Sequence, residues 1–139
     1  MTAELAAVLR PALLRMTRIM RNQRADTSVT LTSLSTLVTL LTNGPMSAGE
    51  LAALERVQPP SMTKILAALE QKGLVRREPH PRDRRSAIIA ITDAGQVLLE
   101  SERLRRDAWL TQRLAQLSSD ERALLRSVIP VLDKLAEAE

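Results

Sequence analysis

The chain has 139 residues, 45% of them apolar, and 20 lysines and arginines against 16 acids give a net charge of +4; that is one domain's length, with enough apolar side chain for a core. It holds no cysteine and a single histidine, His80, which excludes disulfides, thiol redox sensing, thiolate metal sites and a multi-histidine metal centre within one chain. Phenylalanine and tyrosine are absent and Trp109 is the only aromatic residue, which argues against RNA modules that stack bases on aromatic platforms.

No segment is long and apolar enough to span a bilayer, and Arg10, Arg15 and Arg18 interrupt any signal-peptide core, so the expected location is cytoplasmic. Residues 5–20 read as an amphipathic helix, with Leu5, Val8, Leu9, Leu13, Met16 and Met20 at helical spacing. Pro11 predicts either a start or a bend there. Residues 22–30 are polar and read as a loop. Leu34, Leu37, Val38 and Leu41 mark a second helix that ends near Asn43-Gly44-Pro45. Ser47 and Glu50 match a capping box, opening a short third helix with Leu51 and Leu54 facing in.

A fourth helix should begin at Pro59-Pro60, residues suited to a first helical turn. Met62, Ile65, Leu66 and Leu69 form its apolar face. Opposite lie Pro60, Lys64, Ala67 and Gln71, flanked by Ser61 and Thr63, and Gly73 fits the position just past the end. Residues 74–78 and 86–92 read as two short strands around the loop Pro79-His80-Pro81-Arg82-Asp83-Arg84-Arg85. Thr92 or Asp93 caps a long charged helix to about residue 116. Ser118 and Glu121 form a second capping box before a last helix, in which Pro130 should introduce a bend.

The charge is concentrated. From Lys72 to Arg85 there are six basic residues against two acids, so this window alone carries the net charge of the chain. A basic patch on a neutral body is what binding a polyanion requires. The helix before it has a narrow outer face of small and polar residues, which fits a DNA major groove, and an arginine-tipped hairpin can reach the minor groove. Helix, short helix, tight turn, helix and basic hairpin in that order make a winged helix-turn-helix: mainly α, with a small β-hairpin wing. A catalyst would have to use His80, which sits in a loop between prolines without a nucleophile or carboxylate pair beside it. No catalytic residue, metal site or cofactor is therefore expected.

The segments Glu50-Leu51-Ala52, Pro60-Ser61-Met62-Thr63-Lys64, Glu70-Gln71-Lys72-Gly73-Leu74-Val75, Asp83-Arg84-Arg85 and Thr92-Asp93-Ala94-Gly95 stand in an order and spacing that resembles the MarR (multiple antibiotic resistance) family of transcriptional regulators across essentially the whole chain. The resemblance implies a DNA-binding lobe at about residues 30–92. It also implies dimerisation helices at about 3–24 and 93–139, hence a homodimer on double-stranded DNA. By the same resemblance, Pro60, Ser61, Thr63 and Lys64 of the recognition helix face DNA, with Arg76, Arg77, Arg82, Asp83, Arg84 and Arg85 of the wing. An arginine of the tip enters the minor groove, oriented by Asp83 through a charge-assisted pair.

Three features depart from the family pattern. Arg56 stands where a turn glycine is frequent, His80 stands where an acid is frequent, and the absence of cysteine excludes the oxidant-sensing branches. The expected activity is that of a repressor released from a pseudo-palindromic operator by a small phenolic or aromatic-acid effector, with Met16, Arg18, Met20, Met46, Arg76 and Trp109 as candidate pocket residues. The alternative is a helical protein-interaction module without sequence-specific DNA binding. Salt dependence separates the two, since phosphate contacts weaken steeply as salt rises.

Overall fold

The computed structural model describes residues 1–24, 28–83 and 85–137. Six helices and three strands follow in the order α1 (Thr2–Arg21), α2 (Leu31–Asn43), β1 (Met46–Ser47), α3 (Ala48–Glu55), α4 (Pro59–Gln71), β2 (Val75–Pro79), β3 (Ala87–Ile91), α5 (Asp93–Ala115) and α6 (Ser119–Glu137). They fall into two compact units, Arg24–Leu104 and Met1–Gln23 with Arg105–Glu139. The first unit extends past residue 92, where the sequence places the end of the lobe. The reason is packing: Leu98 and Leu99 of α5 lie against its core.

That core is built from Leu37 and Leu40 of α2, Met46 of β1, Leu51 and Ala52 of α3, Met62, Leu66 and Leu69 of α4, and Leu74, Val75 and Ile89 of the hairpin. The α4 face agrees with the sequence reading. On α2, Val38 and Leu41 are each 49% exposed, while Ser33 and Thr36 are buried beside Leu37 and Leu40. The two hydroxyls are tolerated inside because each has a local partner. Thr36 Oγ1 donates to the Thr32 carbonyl at 2.9 Å, and Ser33 is held by the N-cap residue Thr30. In α3 the inward partner of Leu51 is Ala52, and Leu54 is exposed.

The sheet is antiparallel in the order β1-β3-β2. The hairpin pairs Val75 with Ile91 and Pro79 with Ala87. Met46 and Ser47 add a two-residue edge strand opposite Ile89 and Ile88, which the sequence reading does not include. Ser47 then caps α3 by accepting the Glu50 N–H at 3.1 Å.

Thr92 fastens α5 to the end of the wing. Its N–H donates to the Leu74 carbonyl at 3.0 Å, its hydroxyl donates to the Gly73 carbonyl at 2.6 Å, and the same oxygen accepts the Gly95 N–H at 3.1 Å. Thr92 is thus the cap of α5. A side chain at Gly95 would put its Cβ 2.4 Å from the Leu74 carbonyl oxygen, so the approach of α5 to the sheet requires glycine.

In the other unit, α1 starts at Thr2 and runs unbroken through Pro11, so the helix does not begin at the proline. Its first turn is already closed by the Leu5 N–H donating to the Met1 carbonyl, in an Ala- and Leu-rich stretch with high helix propensity. Helix α6 likewise continues through Pro130. The Ser118–Glu121 box is reciprocal: the Ser118 N–H donates to Glu121 Oε1 and the Glu121 N–H to Ser118 Oγ. Hydrogen bonding to the carboxyl by the Ser118 backbone N–H foremost, and then by the Ser118 hydroxyl, holds Glu121 below the ordinary glutamate range. The guanidinium of Arg122 closes the end of α5 by donating to the Leu114 and Leu117 carbonyls. No residue of α1 or α6 is buried. Leu5, Val8 and Leu14 of α1 and Leu124, Ile129 and Leu135 of α6 are more than half exposed.

Candidate nucleic-acid interface

Helices α3 and α4 are joined by Arg56, Val57 and Gln58. Glu55, the last residue of α3, accepts the Ser35 hydroxyl at 2.7 Å and also the Thr39 hydroxyl. One carboxylate therefore pins the end of α3 to α2. Arg56 follows with φ 53° and ψ 45°, and it is the one non-glycine residue with positive φ among the described residues. For a residue with a Cβ this conformation costs about 1–2 kcal/mol.

Helix α4 opens on Pro59 and Pro60 in its first turn. Neither has an N–H, so two of the backbone donors that a helix start normally offers to an anion are missing here. Ser61, Thr63 and Lys64 are exposed with Ala67 and Ala68, while Met62, Leu66 and Leu69 face the core. The Thr63 hydroxyl donates to the Pro59 carbonyl at 3.0 Å. Thr63 therefore presents its methyl group and an acceptor outward, rather than a donor.

The wing is fixed by ion pairs at its base and by backbone bonds at its tip. Arg76 Nε lies 2.6 Å from Glu78 Oε1, and Arg76 Nη1 donates to the Ile91 carbonyl at 3.3 Å. Arg77 Nε lies 2.7 Å from Glu70 Oε2, which links β2 to the end of α4. Both pairs are exposed, and such pairs add little stability. At the tip, the His80 N–H donates to the Ser86 carbonyl and the Ser86 N–H to the Asp83 carbonyl, each at 3.1 Å. The Arg82 N–H donates to His80 Nδ1 at 3.0 Å, so this nitrogen is the unprotonated one. Asp83 Oδ1 accepts the Arg85 backbone N–H at 3.0 Å, and Asp83 Oδ2 accepts the Ser86 hydroxyl at 3.4 Å. Asp83 thus acts on Arg85 through the backbone, and among the described residues no guanidinium pairs with it. Arg84, the neighbouring tip residue, lies outside the described residues.

The cations of this unit divide sharply. Arg76 and Arg77 each hold a carboxylate, Lys72 donates to the Ser28 hydroxyl, and Arg24 donates to the Val29 carbonyl. Arg56, Lys64, Arg82 and Arg85 are exposed, and among the described residues none of their side chains pairs with an acid. These four come from the α3–α4 turn, the recognition helix and the wing tip. Sequence reasoning names three of them. It notes Arg56 only as a departure, although a long basic side chain in a tight turn was a signal.

The expected pocket residues are divided between the two units. Met16, Arg18 and Met20 lie on α1. Trp109 lies on α5 with the Arg113 guanidinium carbon 5.5 Å from its ring centre. Met46 is 8% exposed and part of the core. It packs within that core on a two-residue strand paired opposite Ile89. Among the described residues no cluster of His, Asp and Glu is placed to hold a metal ion, and no helix is long and apolar enough to cross a membrane.

The chain is similar to known proteins over nearly its whole length. The MarR family model matches residues 29–87, which span α2 through the start of β3. A transcriptional regulator of the HTH type from Mycobacterium leprae is 40% identical over 97% of this chain and 94% of its own. The HTH-type transcriptional repressor NicR of Pseudomonas putida is 33% identical over 72% of this chain and 63% of its own. Among solved structures, a Pseudomonas aeruginosa protein described as a transcriptional regulator superposes with a TM-score of 0.88 at 31% identity, covering 99% of this chain and 97% of that one. The helix-turn-helix with its exposed α4 face, the basic wing and these likenesses agree: the chain belongs to the MarR family of winged helix-turn-helix, DNA-binding transcriptional regulators.

Proposed function

We propose that the protein is a homodimeric repressor that holds a pseudo-palindromic operator through α4 and the wing and releases it on binding a small phenolic or aromatic acid. The observation that carries the DNA-binding surface is the distribution of unpaired cations, confined among the described residues of the lobe to the α3–α4 turn, α4 and the wing tip. Lys64, with Ser61 and Thr63, reads base edges, while Arg82, Arg84 and Arg85 serve the minor groove and its phosphates. Arg76 and Arg77 join this surface only by exchanging a carboxylate for a phosphate. Repression is supported by the likeness to NicR, a named repressor.

The dimer is supported by the faces of α1 and α6, which bury nothing within one chain. Exposed apolar stripes of this length are ordinarily covered by a second copy in a two-fold assembly. An effector would meet Met16, Arg18, Met20 and Trp109, where apolar surface and a cation suit an aromatic acid. The test is to sequence DNA fragments selected by the purified protein with and without candidate phenolic acids. A pseudo-palindromic motif that is lost on adding one acid supports the reading. Fragments of unrelated sequence, unaffected by any acid, would contradict it.

A further inference from the structure

Helices α3 and α4 end in the same hydrogen-bond pattern. After α4, the Gly73 N–H donates to the Glu70 carbonyl at 3.0 Å and the Leu74 N–H to the Leu69 carbonyl at 2.9 Å. After α3, the Arg56 N–H donates to the Ala53 carbonyl at 3.3 Å and the Val57 N–H to the Ala52 carbonyl at 2.9 Å. Both are Schellman motifs, in which a residue just past the helix end adopts left-handed backbone. Its φ is 72° at Gly73 and 53° at Arg56. The chain thus uses glycine, the unstrained solution, at one of two equivalent positions and a long basic residue at the other.

Among the described residues, nothing in the fold uses the Arg56 side chain. It is exposed. Among the described residues no acid pairs with it and no helix carbonyl accepts from its guanidinium. Arg122 shows what a structural arginine at a helix end does here, since its guanidinium holds the Leu114 carbonyl of α5 and the Leu117 carbonyl just past it. Strain kept at a position without an internal benefit points to an external one. The next helix supplies the reason. Pro59 and Pro60 deprive the start of α4 of two N–H donors, so a phosphate arriving there needs a side-chain cation, and Arg56 stands three residues upstream.

We infer that Arg56 is a DNA-backbone contact, its guanidinium binding a phosphate at the entry of the recognition helix in place of the donors that the prolines remove. The inference rests on the lobe's binding DNA through α3 and α4. A fork of N–H donors suits phosphate oxygens, and a phosphate contact strengthens binding to every sequence alike.

The experiment compares the intact wild-type protein with Arg56→Gly and Arg56→Lys on two duplexes, one selected by the wild type and one unrelated duplex of equal length. Thermal denaturation and the salt dependence of binding are read on the same preparations. Arg56→Gly is expected to melt higher than wild type, to bind both duplexes several-fold more weakly, and to lower the logarithmic salt slope by about one. Arg56→Lys should keep most of that slope. An Arg56→Gly protein with wild-type affinity and slope overturns the inference whatever its melting temperature, and one that also melts lower would make Arg56 a structural cap. A wild-type protein that binds neither duplex overturns the reading of the lobe, and the inference with it.

Discussion

Asp83 accepts the backbone N–H of Arg85 at 3.0 Å and so holds the tip of the wing in a side-chain-closed turn of the kind that Asp and Asn form. The role needs an acceptor at this position and not a negative charge. Asp83→Asn should therefore keep operator affinity or raise it slightly, since it keeps the turn and removes an anion near phosphate. Asp83→Ala should weaken binding, because the tip arginines then lose more freedom on docking. Titration of both variants at one fixed salt concentration decides the matter. Tighter binding by Asp83→Ala would show that Asp83 only repels DNA.

On the proposed reading of α4, Thr63 and Lys64 face base edges. The Thr63 hydroxyl already donates to the Pro59 carbonyl, so Thr63→Val, which keeps a methyl at that place, should leave base preferences close to wild type. Lys64→Ala should change which bases are preferred, at about 1–3 kcal/mol per lost base-edge contact. Selection of duplexes by each variant checks both. A Lys64→Ala protein with an unchanged base profile and a lower salt slope would make Lys64 a phosphate contact.

Gly95 sets how closely α5 approaches the hairpin. A Cβ there meets the Leu74 carbonyl oxygen at 2.4 Å and Ile91 Cγ1 at 2.7 Å, and the former is backbone that cannot rotate away. Gly95→Ala should destabilise by about 1–3 kcal/mol, although alanine is the better helix former by about 1 kcal/mol. Urea denaturation measures this. A stabilised variant would mean that α5 can shift without loss.

The capping box of α6 predicts a pH effect. Hydrogen bonds from Ser118 keep the Glu121 carboxyl below its ordinary range. A carboxyl depressed on folding contributes stability that is present above its unfolded value and is lost as pH falls through its folded value. The melting-temperature difference between wild type and Glu121→Gln should be largest at neutral pH and close to zero in acid. A difference that does not change with pH would remove the charged form from the cap.

The α4 face, the hairpin, the Ser47 cap of α3 and the Ser118–Glu121 capping box were legible in the sequence because each has a local cause: apolar spacing, prolines in a first turn, a serine three residues before a glutamate. The α2 face was not, since Leu34, Leu37, Val38 and Leu41 match helical spacing as well as Ser33, Thr36, Leu37 and Leu40 do. Only the local satisfaction of two hydroxyls lets the second set turn inward. Strand β1 is too short to show alternation, and its existence depends on β3 being alongside. In the binding surface, residue types were readable and pairing was not. That Arg76 and Arg77 hold Glu78 and Glu70, while among the described residues Arg82 and Arg85 hold no acid, depends on which side chains the folded hairpin brings together.

That difference gives the central claim its most direct measurement, the salt dependence of operator binding by single arginine variants of the wing. Arg82→Ala and Arg85→Ala should each lower the logarithmic salt slope by about one with the melting temperature unchanged, because an exposed, unpaired arginine contributes little to folding. Arg77→Ala should lower it less, since Glu70 already neutralises that guanidinium. Equal slopes for wild type, Arg82→Ala and Arg85→Ala would contradict the account, because the cations left unpaired by the fold would then not be the ones that hold DNA.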